Sequence, residues 1–326
     1  MKSTPHLQEI SGCKTLLILI LICFSKVNQA QFRVIGYFPL RNDSLDFKTL
    51  PFQKLTHLNI AFINPDSSGQ LIIPPRLDEL VNEAHSHGIK LMASIGGGSP
   101  IPYYARLLFK SQRKAFIEKR VQLGTNHILD GIDVDLENDA IDQHYTGFIK
   151  SPSAKLRPAG KLLTAALATW NGQLISKPAL KKFDFVNIMS YDQTGPWKPE
   201  NPGPHSTFSK AEEDLKYWTG NRGLPKNKVN LGLPFYGYCF GTKYGQSMSY
   251  AQIVNFFPGS ENQDLVNPET GGTIYYNGLA TIKNKTSLAI QNAGGIMIWQ
   301  ILQDAPGTLS LLNAIQETII QEPGKK

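Results

Sequence analysis

The sequence predicts a closed parallel (β/α)8 barrel, the TIM-barrel fold of the α/β class. Eight apolar, β-branched runs recur along the chain, and helix-period segments lie between several of them. A doubly wound open sheet shares this alternation, so the periodicity alone leaves both folds open. Polar residues at the ends of several runs favour the barrel, because barrels carry their active sites at the carboxyl ends of their strands.

The predicted strands are the apolar runs at residues 33–40, 55–64, 90–94, 131–137, 162–169, 183–191, 229–236 and 295–301. Helices are predicted at residues 76–87, 111–126, 210–218 and 309–320. The reactive or aromatic side chains that end predicted strands are Ser94, Glu137, Tyr191 and Trp299. Residues 241–278 are predicted to form an irregular connection, with no large α+β insertion between the seventh and eighth strands.

The first 30 residues are predicted to be a signal peptide, and residues 31–326 a single domain. An apolar run at residues 15–24 follows Lys14 and precedes a cleavage point after Ala30. This run is shorter than the roughly 20 residues that a membrane-spanning helix needs, so no stable membrane insertion is expected. The protein is therefore expected to be secreted or periplasmic.

The charge, cysteine and histidine content of the chain argues against several kinds of partner and bond. The net charge of +7 is not gathered into a basic run with interleaved aromatic residues, so nucleic acid is not expected. Cys239 is the one cysteine beyond residue 30, which leaves no intramolecular disulfide in the predicted mature chain. The seven histidines show no metal-ligand spacing, and neither a metal nor a cofactor is expected. We expect a monomer.

The most informative segment is residues 130–137, in which carboxylates alternate with large apolar residues. Because residues two apart share a face of a strand, Asp133, Asp135 and Glu137 are expected to project together. Like charges at such short range do not all ionise readily, so one carboxyl should hold a proton, as a general acid must. A solvated strand end or a calcium loop is the alternative, but a calcium loop needs Gly at its sixth position, where this chain has Asn138.

Four short motifs occur in order between residues 94 and 299. They are Ser-x-Gly-Gly at 94–97, Asp-Gly-x-Asp-x-Asp-x-Glu at 130–137, Met-x-Tyr-Asp at 189–192 and Gly-x-Met-x-Trp at 295–299, while Tyr37 fits the first strand. On these motifs the chain resembles glycoside hydrolase family 18, the family of chitinases and endo-β-N-acetylglucosaminidases, from about residue 33 to residue 316. Leu136 stands where family chitinases often have Trp, and the 56 residues between Tyr238 and Gly295 look too few for the α+β module that some members insert.

The resemblance implies retaining hydrolysis in which the 2-acetamido oxygen of the substrate attacks the anomeric carbon, so that no enzyme nucleophile is needed. Glu137 would protonate the glycosidic oxygen and later activate water, and Asp135 and Asp133 are expected to raise its pKa. Asp135 would accept a hydrogen bond from the acetamide N–H and offset the charge of the oxazolinium ion. Tyr191 would offer its hydroxyl to the acetamide oxygen, with core packing as the alternative. These four residues are the predicted catalytic group.

Eight further residues are predicted to bind or position the substrate. They are Tyr37, Ser94, Gly96, Gly97, Met189, Asp192, Trp197 and Trp299. Trp299 would form an apolar floor under the sugar or belong to the core. Ser94 and Asp133 would form an inner layer that relays charge to Asp135. Trp197 would line a leaving-group subsite or be a plain surface side chain.

The predicted function is hydrolysis of β-1,4 linkages in N-acetylglucosamine polymers, with chitin or an N-acetylglucosamine-containing oligosaccharide as the partner. One alternative is an endo-β-N-acetylglucosaminidase that acts on N-glycan cores with the same machinery. A non-catalytic chitin lectin is disfavoured, because such barrels usually lack the acid that stands here at Glu137. A sugar-cleaving barrel with an enzyme nucleophile would instead act on sugars that lack the 2-acetamido group.

Overall fold

Twelve strands occur in the computed structural model, which describes residues 31–40, 44–99, 104–109 and 129–322. In chain order they are β1 (Arg33–Phe38), β2 (His57–Ala61), β3 (Lys90–Gly96), β4 (Gly131–Asp135), β5 (Leu162–Leu167), β6 (Phe185–Ile188), β7 (Val229–Pro234), β8 (Tyr236–Phe240), β9 (Ser247–Ser249), β10 (Leu265–Val266), β11 (Thr273–Tyr275) and β12 (Gly295–Trp299). Strands β1–β7 and β12 pair in parallel and close into a barrel in the order β1-β12-β7-β6-β5-β4-β3-β2. The predicted (β/α)8 barrel is confirmed.

The predicted strands are all present, but most of them end before the predicted limit. The ladder of β4 stops at Asp135, so Glu137 lies two residues beyond the strand. Ser94, predicted to end a strand, lies inside β3 and pairs with Asp133 of β4. The predicted limits were too long because buried side chains such as Leu136 continue past the last ladder pair.

The described residues also contain eight α-helices. They are α1 (Leu77–Ser86), α2 (Tyr104–Leu108), α3 (Tyr145–Leu156), α4 (Lys177–Leu180), α5 (Phe208–Lys216), α6 (Tyr250–Phe256), α7 (Leu279–Asn292) and α8 (Leu311–Gln321). Helices α1, α5 and α8 confirm three predicted helices, whereas the fourth, at 111–126, and the predicted signal peptide lie outside the described residues. Within the described ranges, no helix has both the length and the apolar character needed to cross a bilayer.

Strand β4 shows how the sequence pattern builds both layers of the fold. Ile132, Val134 and Leu136 are buried in the large apolar core that also takes in the helices. Asp133 and Asp135 alternate with them and are buried too, on the opposite face of the strand. The two acids therefore project into the barrel interior, as the alternation predicted.

The connection after β7 is not irregular, and that prediction for residues 241–278 was wrong. Strands β8–β11 form an antiparallel sheet in the order β10-β11-β8-β9, and α6 lies between β9 and β10. Strands of two or three residues carry too few side chains to show a period-two pattern, so strands β9, β10 and β11 could not be predicted from periodicity. The module is small and begins directly at the rim, because β8 starts two residues after β7 ends.

Candidate active site

A pocket of about 500 Å³ opens at the carboxyl ends of the barrel strands. The predicted site residues that line it are Tyr37, Gly96, Gly97, Asp135, Glu137, Met189, Tyr191, Asp192 and Trp299. Asp133 and Ser94 are fully buried in the barrel interior and do not line the pocket. The fold thus gathers motifs that are far apart in the sequence around one cavity.

Asp133 is held by hydrogen bonds to both of its carboxylate oxygens. Its Oδ2 accepts from the hydroxyl of Tyr37 at 2.6 Å and from that of Ser94 at 2.8 Å. Its Oδ1 accepts from the hydroxyl of Thr164 at 2.6 Å. Burial raises the pKa of Asp133, and these hydrogen bonds oppose that shift because they favour the ionised form. Contacts from β1, β3 and β5 therefore fix this carboxylate in one place.

A column of polar side chains continues from Asp133 through the barrel. Asn187 donates to the hydroxyl of Tyr37 at 3.3 Å and accepts from Nδ2 of Asn230 at 2.9 Å. Asn230 in turn accepts from Nε of Arg33 at 2.9 Å. Each of these side chains hydrogen-bonds to the next, so the members of this column avoid the cost of unpaired buried groups.

Asp135 differs from Asp133 in its hydrogen bonding. It is only 3% exposed, and its Oδ1 has no hydrogen-bond partner among the described residues. Burial raises the pKa of Asp135 well above its ordinary value, and the charges of Glu137 and Asp133 add to the shift. A buried acceptor without a donor is costly to the folded protein. An N–H group of a ligand in the pocket would satisfy it.

Glu137 lies above β4 at the pocket and is partly exposed. Burial raises its pKa to about 7, and the negative charge of Asp192 contributes. We expected Asp135 and Asp133 to be the cause; burial is the largest effect, Asp192 adds a charge that we did not predict, and the mutual repulsion between Glu137 and Asp135 raises the pKa of Asp135. A carboxyl group with this pKa holds its proton in a large fraction of molecules at neutral pH, as a general acid requires.

Asp192 stands on the loop that follows β6 and has a left-handed backbone, with φ of 62°. Its Oδ1 accepts a hydrogen bond from the hydroxyl of Tyr236 and lies 3.4 Å from Nδ1 of His205. Such a backbone is uncommon for a residue with a side chain. The loop therefore keeps Asp192 at the pocket rim with help from contacts that come from β8 and from His205.

Gly96 and Gly97 let two backbones approach closely. Their φ angles are 107° and 96°, a region that favours glycine. The N–H of Gly97 donates to the carbonyl oxygen of Asp135 at 2.7 Å, and a side chain at Gly96 would overlap that same carbonyl group. A side chain at Gly97 would overlap the ring of Phe62. The two glycines thus shape the pocket wall beside Asp135.

Aromatic rings form another wall of the pocket. Trp299 stacks on Phe62 with ring centroids 5.8 Å apart and lies 5.6 Å from the ring of Tyr37. Tyr191 is buried, with its hydroxyl 3.7 Å from Sδ of Met297, and burial raises its pKa well above the ordinary value. Both Trp299 and Tyr191 line the pocket and also pack against the core. Their predicted contact with the substrate and the alternative, core packing, are therefore compatible.

Trp197 is the one predicted site residue that is neither in the pocket lining nor beneath it. It is 55% exposed and packs edge-on against Tyr238 with ring centroids 5.2 Å apart. Its place on the loop after β6 leaves it beside the described pocket rather than in it. Its assignment to a leaving-group subsite stays a prediction.

Sequence reasoning missed several side chains of this site. Thr164 and Asn187 are polar residues inside apolar strands, a signal that could have been used. Trp170, which is 51% exposed at the pocket, follows β5 at the same strand end as the other site residues. Tyr236 and His205 carried no signal, because only folding brings them to Asp192.

The geometry supplies a proton donor, a buried acceptor and aromatic surfaces around one pocket. This combination suits acid catalysis on a sugar, whose C–H faces pack on aromatic rings. In the part of the chain that the structure describes, no three His, Cys, Asp or Glu side chains come together as metal ligands would.

Residues 33–304 match the model of glycosyl hydrolases family 18. The barrel is similar to the crystal structure of a family 18 chitinase from the chitin utilization locus of Flavobacterium johnsoniae, with a TM-score of 0.81 and 38% identity. That similarity covers 89% of this chain and 94% of the other.

Two curated relatives match a smaller share of their own length. A chitinase-like effector of Moniliophthora roreri is 27% identical over 71% of this chain and 65% of its own. An endochitinase of Manduca sexta is 29% identical over 70% of this chain and 48% of its own. The match to the family model covers most of the sequence, from the first barrel strand to just beyond the last, and the chain belongs to glycosyl hydrolase family 18.

Proposed function

We propose that this protein hydrolyses β-1,4 linkages in chitin and chito-oligosaccharides, with Glu137 as the acid and base and the substrate's acetamide as the nucleophile. The observation that carries the proposal is the buried Oδ1 of Asp135, which lacks a partner among the described residues and lies beside a glutamate with a pKa of about 7. An acetamide N–H is a donor of the kind that this oxygen needs.

The proposed reaction has two steps. In the first, the proton of Glu137 moves to the glycosidic oxygen, the bond from that oxygen to C1 breaks, and the acetamide oxygen bonds to C1. In the second, the Glu137 carboxylate takes a proton from water, and the oxygen of that water attacks C1 and opens the oxazolinium ring. Two displacements at C1 retain its configuration, and Glu137 ends protonated, as it began.

Asp135 supports the acetamide during both steps. A hydrogen bond from the acetamide N–H to Oδ1 would hold the carbonyl oxygen toward C1 and offset the positive charge that develops on the ring. Asp133 does not line the pocket, and its two oxygens accept bonds from Tyr37, Ser94 and Thr164, so the task falls to Asp135. The acetamide is therefore the substrate feature that the site would recognise.

The names of the relatives support chitin as the substrate class. The bacterial relative at 38% identity is a chitinase from a chitin utilization locus, and the moth relative is an endochitinase. The chain spans 65% and 48% of the two curated relatives, so what those whole proteins do is carried over here only as part of the proposal.

Export fits the proposed substrate, because polymeric chitin does not cross a membrane. We propose that residues 1–30 direct secretion and are removed. Amino-terminal sequencing of protein recovered from the medium or periplasm should start near Gln31. Recovery of the full chain in the cytoplasm would contradict this part of the proposal.

The function is tested by comparing three hexamers under one set of conditions: chitohexaose, its fully de-N-acetylated form and cellohexaose. Mass spectrometry should show shorter products from chitohexaose alone, because the other two lack the acetamide. Cleavage of cellohexaose would instead require an enzyme nucleophile. An intact chitohexaose that still binds would indicate a lectin, and release of glycans from an N-glycoprotein alone would indicate a core endoglycosidase.

A further inference from the structure

The chain turns sharply after β6, where Tyr191 and Asp192 line the pocket, and we call these two residues the pocket pair. The N–H of Ser190 donates to the carbonyl oxygen of Ile188 at 2.9 Å, a bond between residues two apart that defines a γ-turn. Asp192 has its left-handed φ of 62° at the end of the same segment. Such a backbone persists only where surrounding contacts hold it. The contacts that hold the pocket pair therefore come from outside β6.

Two adjacent residues of the loop between β6 and α5, His205 and Ser206, bracket the pocket pair. Directly before the pair, the carbonyl oxygen of Ser190 accepts from the hydroxyl of Ser206 at 2.7 Å. Directly after it, the N–H of Gln193 donates to the carbonyl oxygen of His205 at 3.1 Å. His205 and Ser206 are both fully buried. The peptide groups at the two ends of the pocket pair are thus tied to one short, buried segment.

Lys285, on α7, holds Ser206 from the other side. It is fully buried, and its Nζ lies 2.7 Å from the hydroxyl oxygen of Ser206, 2.8 Å from the carbonyl oxygen of Ser206 and 2.8 Å from Oδ1 of Asn277. The single proton of the Ser206 hydroxyl goes to the carbonyl oxygen of Ser190, which can only accept, so Nζ donates to that hydroxyl. All three neighbours of Nζ therefore act as acceptors, which matches the three N–H donors of an ammonium group.

Asn277 completes the contact with the loop. Its Nδ2 donates to the carbonyl oxygen of Ser206 at 2.9 Å, while its Oδ1 accepts from Lys285. Burial lowers the pKa of Lys285 to about 7, and the charges of Asp264 and Asp214 oppose that shift. The hydrogen bonds of this buried amine go to Ser206 and Asn277 rather than to a carboxylate. Its contacts therefore stabilise the segment that brackets the pocket pair.

We propose that Ser206 and Lys285 are positioning residues for Tyr191. Lys285 directs the Ser206 hydroxyl onto the carbonyl oxygen of Ser190, and that bond sets the angle at which the next residue enters the pocket. The inference rests on the proposed function and on the predicted bond from the Tyr191 hydroxyl to the acetamide oxygen. Ser206 and Lys285 do not line the pocket, so they act on the substrate through the peptide group that follows Ser190. A misplacement of about 1 Å in such a group can cost roughly 100-fold in rate.

Kinetics on chitohexaose test this inference in a double-mutant cycle of Ser206→Ala and Tyr191→Phe. Ser206→Ala removes the bond to the Ser190 carbonyl, and kcat should fall about tenfold because the Tyr191 phenol is no longer held in place. In the Tyr191→Phe background the same substitution should lower kcat less than about twofold, since the hydroxyl that it positions is already absent. Equal falls in the two backgrounds overturn the inference. So does a Ser206→Ala protein that melts at a lower temperature but keeps the kcat of the wild type.

Two variants of α7 separate positioning from stability. Lys285→Met removes the donors to Ser206, so kcat should fall as it does in Ser206→Ala; where this variant does not fold, the cycle with Tyr191→Phe decides. Thr286→Val is the matched control, because it removes a buried hydroxyl bond of 2.8 Å to the carbonyl oxygen of Ile282 at the next position of the same helix. Its melting temperature should fall while kcat stays near the wild type. A Thr286→Val protein that loses as much kcat as Ser206→Ala overturns the inference.

A measurement without turnover separates this inference from the proposed function. Carbon-detected NMR of ring-labelled tyrosine, assigned with Tyr191→Phe, reports the surroundings of the Tyr191 ring. Its signal should shift in Ser206→Ala and stay in place in Thr286→Val. An unmoved Tyr191 signal in Ser206→Ala overturns the inference. A wild type that leaves chitohexaose intact overturns the proposed function instead, and the ring signal still decides whether Ser206 positions Tyr191.

Discussion

Asp133 and Asp135 lie two residues apart on the same strand, and both are buried, but their hydrogen bonding differs. Asp133 lies in the closed interior of the barrel and accepts three hydrogen bonds of 2.6–2.8 Å from hydroxyl groups. Asp135 lies at the pocket, and its Oδ1 lacks any partner in the described ranges. One carboxylate is satisfied by the fold, and the other is left for a ligand.

Burial alone does not identify a functional acid. Burial raises the pKa of both aspartates, yet only Asp135 keeps a free acceptor oxygen. Hydrogen bonds offset part of the cost of burying a carboxylate, whereas an unsatisfied carboxylate costs more stability and is retained where it serves a site. The interior and the mouth of the barrel should therefore respond differently to substitution.

The largest effect is expected at the mouth. Glu137→Gln removes the transferable proton with little change in volume, and kcat on chitohexaose should fall by about 10²–10⁴-fold. The melting temperature should stay close to that of the wild type, because Glu137 is partly exposed. Turnover within a few-fold of the wild type would show that another group is the acid.

Asp135→Asn should separate activity from stability. Losing the carboxylate charge should lower kcat by about 10²–10³-fold, as for other groups that stabilise developing charge. Stability should rise at neutral pH. The pKa of Asp135 is raised by folding, so the wild type loses stability as pH climbs from near 4 toward that raised pKa, and the variant does not.

Thermal unfolding of Asp135→Asn and the wild type from pH 4 to pH 8 measures this difference. The gap between the two melting temperatures should widen with pH. A variant that is less stable than the wild type at every pH would mean that Asp135 is satisfied after all.

The acid role of Glu137 also predicts a pH profile. Burial and Asp192 raise the pKa of Glu137 to about 7, and the protonated form is the one that donates. Above that pH, kcat/KM on chitohexaose should fall about tenfold per pH unit. A profile that stays flat to pH 9 contradicts the assignment.

In the barrel interior we expect substitution to lower stability more than activity, the reverse of the effect expected at the pocket. Asp133→Asn leaves hydroxyl donors facing an amide, and the free energy of unfolding should drop by about 1–3 kcal/mol. Activity should fall by about tenfold or less, since Asp133 does not line the pocket. Urea unfolding together with kcat measures both. Ser94→Ala, which removes a single donor to Asp133, is the matched control and should cost less stability.

The smallest effect is expected at the exposed pocket wall. Trp170→Ala should raise KM for chitohexaose a few-fold through lost stacking, worth about 1 kcal/mol, and leave kcat and stability near the wild type. Trp197→Ala is the comparison, because Trp197 does not line the described pocket. A larger KM effect at Trp197 than at Trp170 would place the sugar chain over the Trp197 loop.

The strongest sequence signals were those of period and motif. The alternation at residues 131–136 fixed which side chains of β4 face the barrel, because a strand has no other way to place alternate residues. The barrel strands were found for the same reason. The strands at residues 247–249 and 265–266 were not predicted, because strands this short cannot show a period-two pattern.

By itself the sequence determined the barrel, its acidic strand and the motifs that gather at one end. Local pattern is sufficient for these, because each depends on residues close together in the chain. Only the tertiary structure decided which aspartate is satisfied, that Asp192 acts on Glu137, and that His205 stands behind Asp192. Hydrogen bonding, burial and charge depend on distances between strands and loops, and those distances exist only after the chain has closed into the barrel.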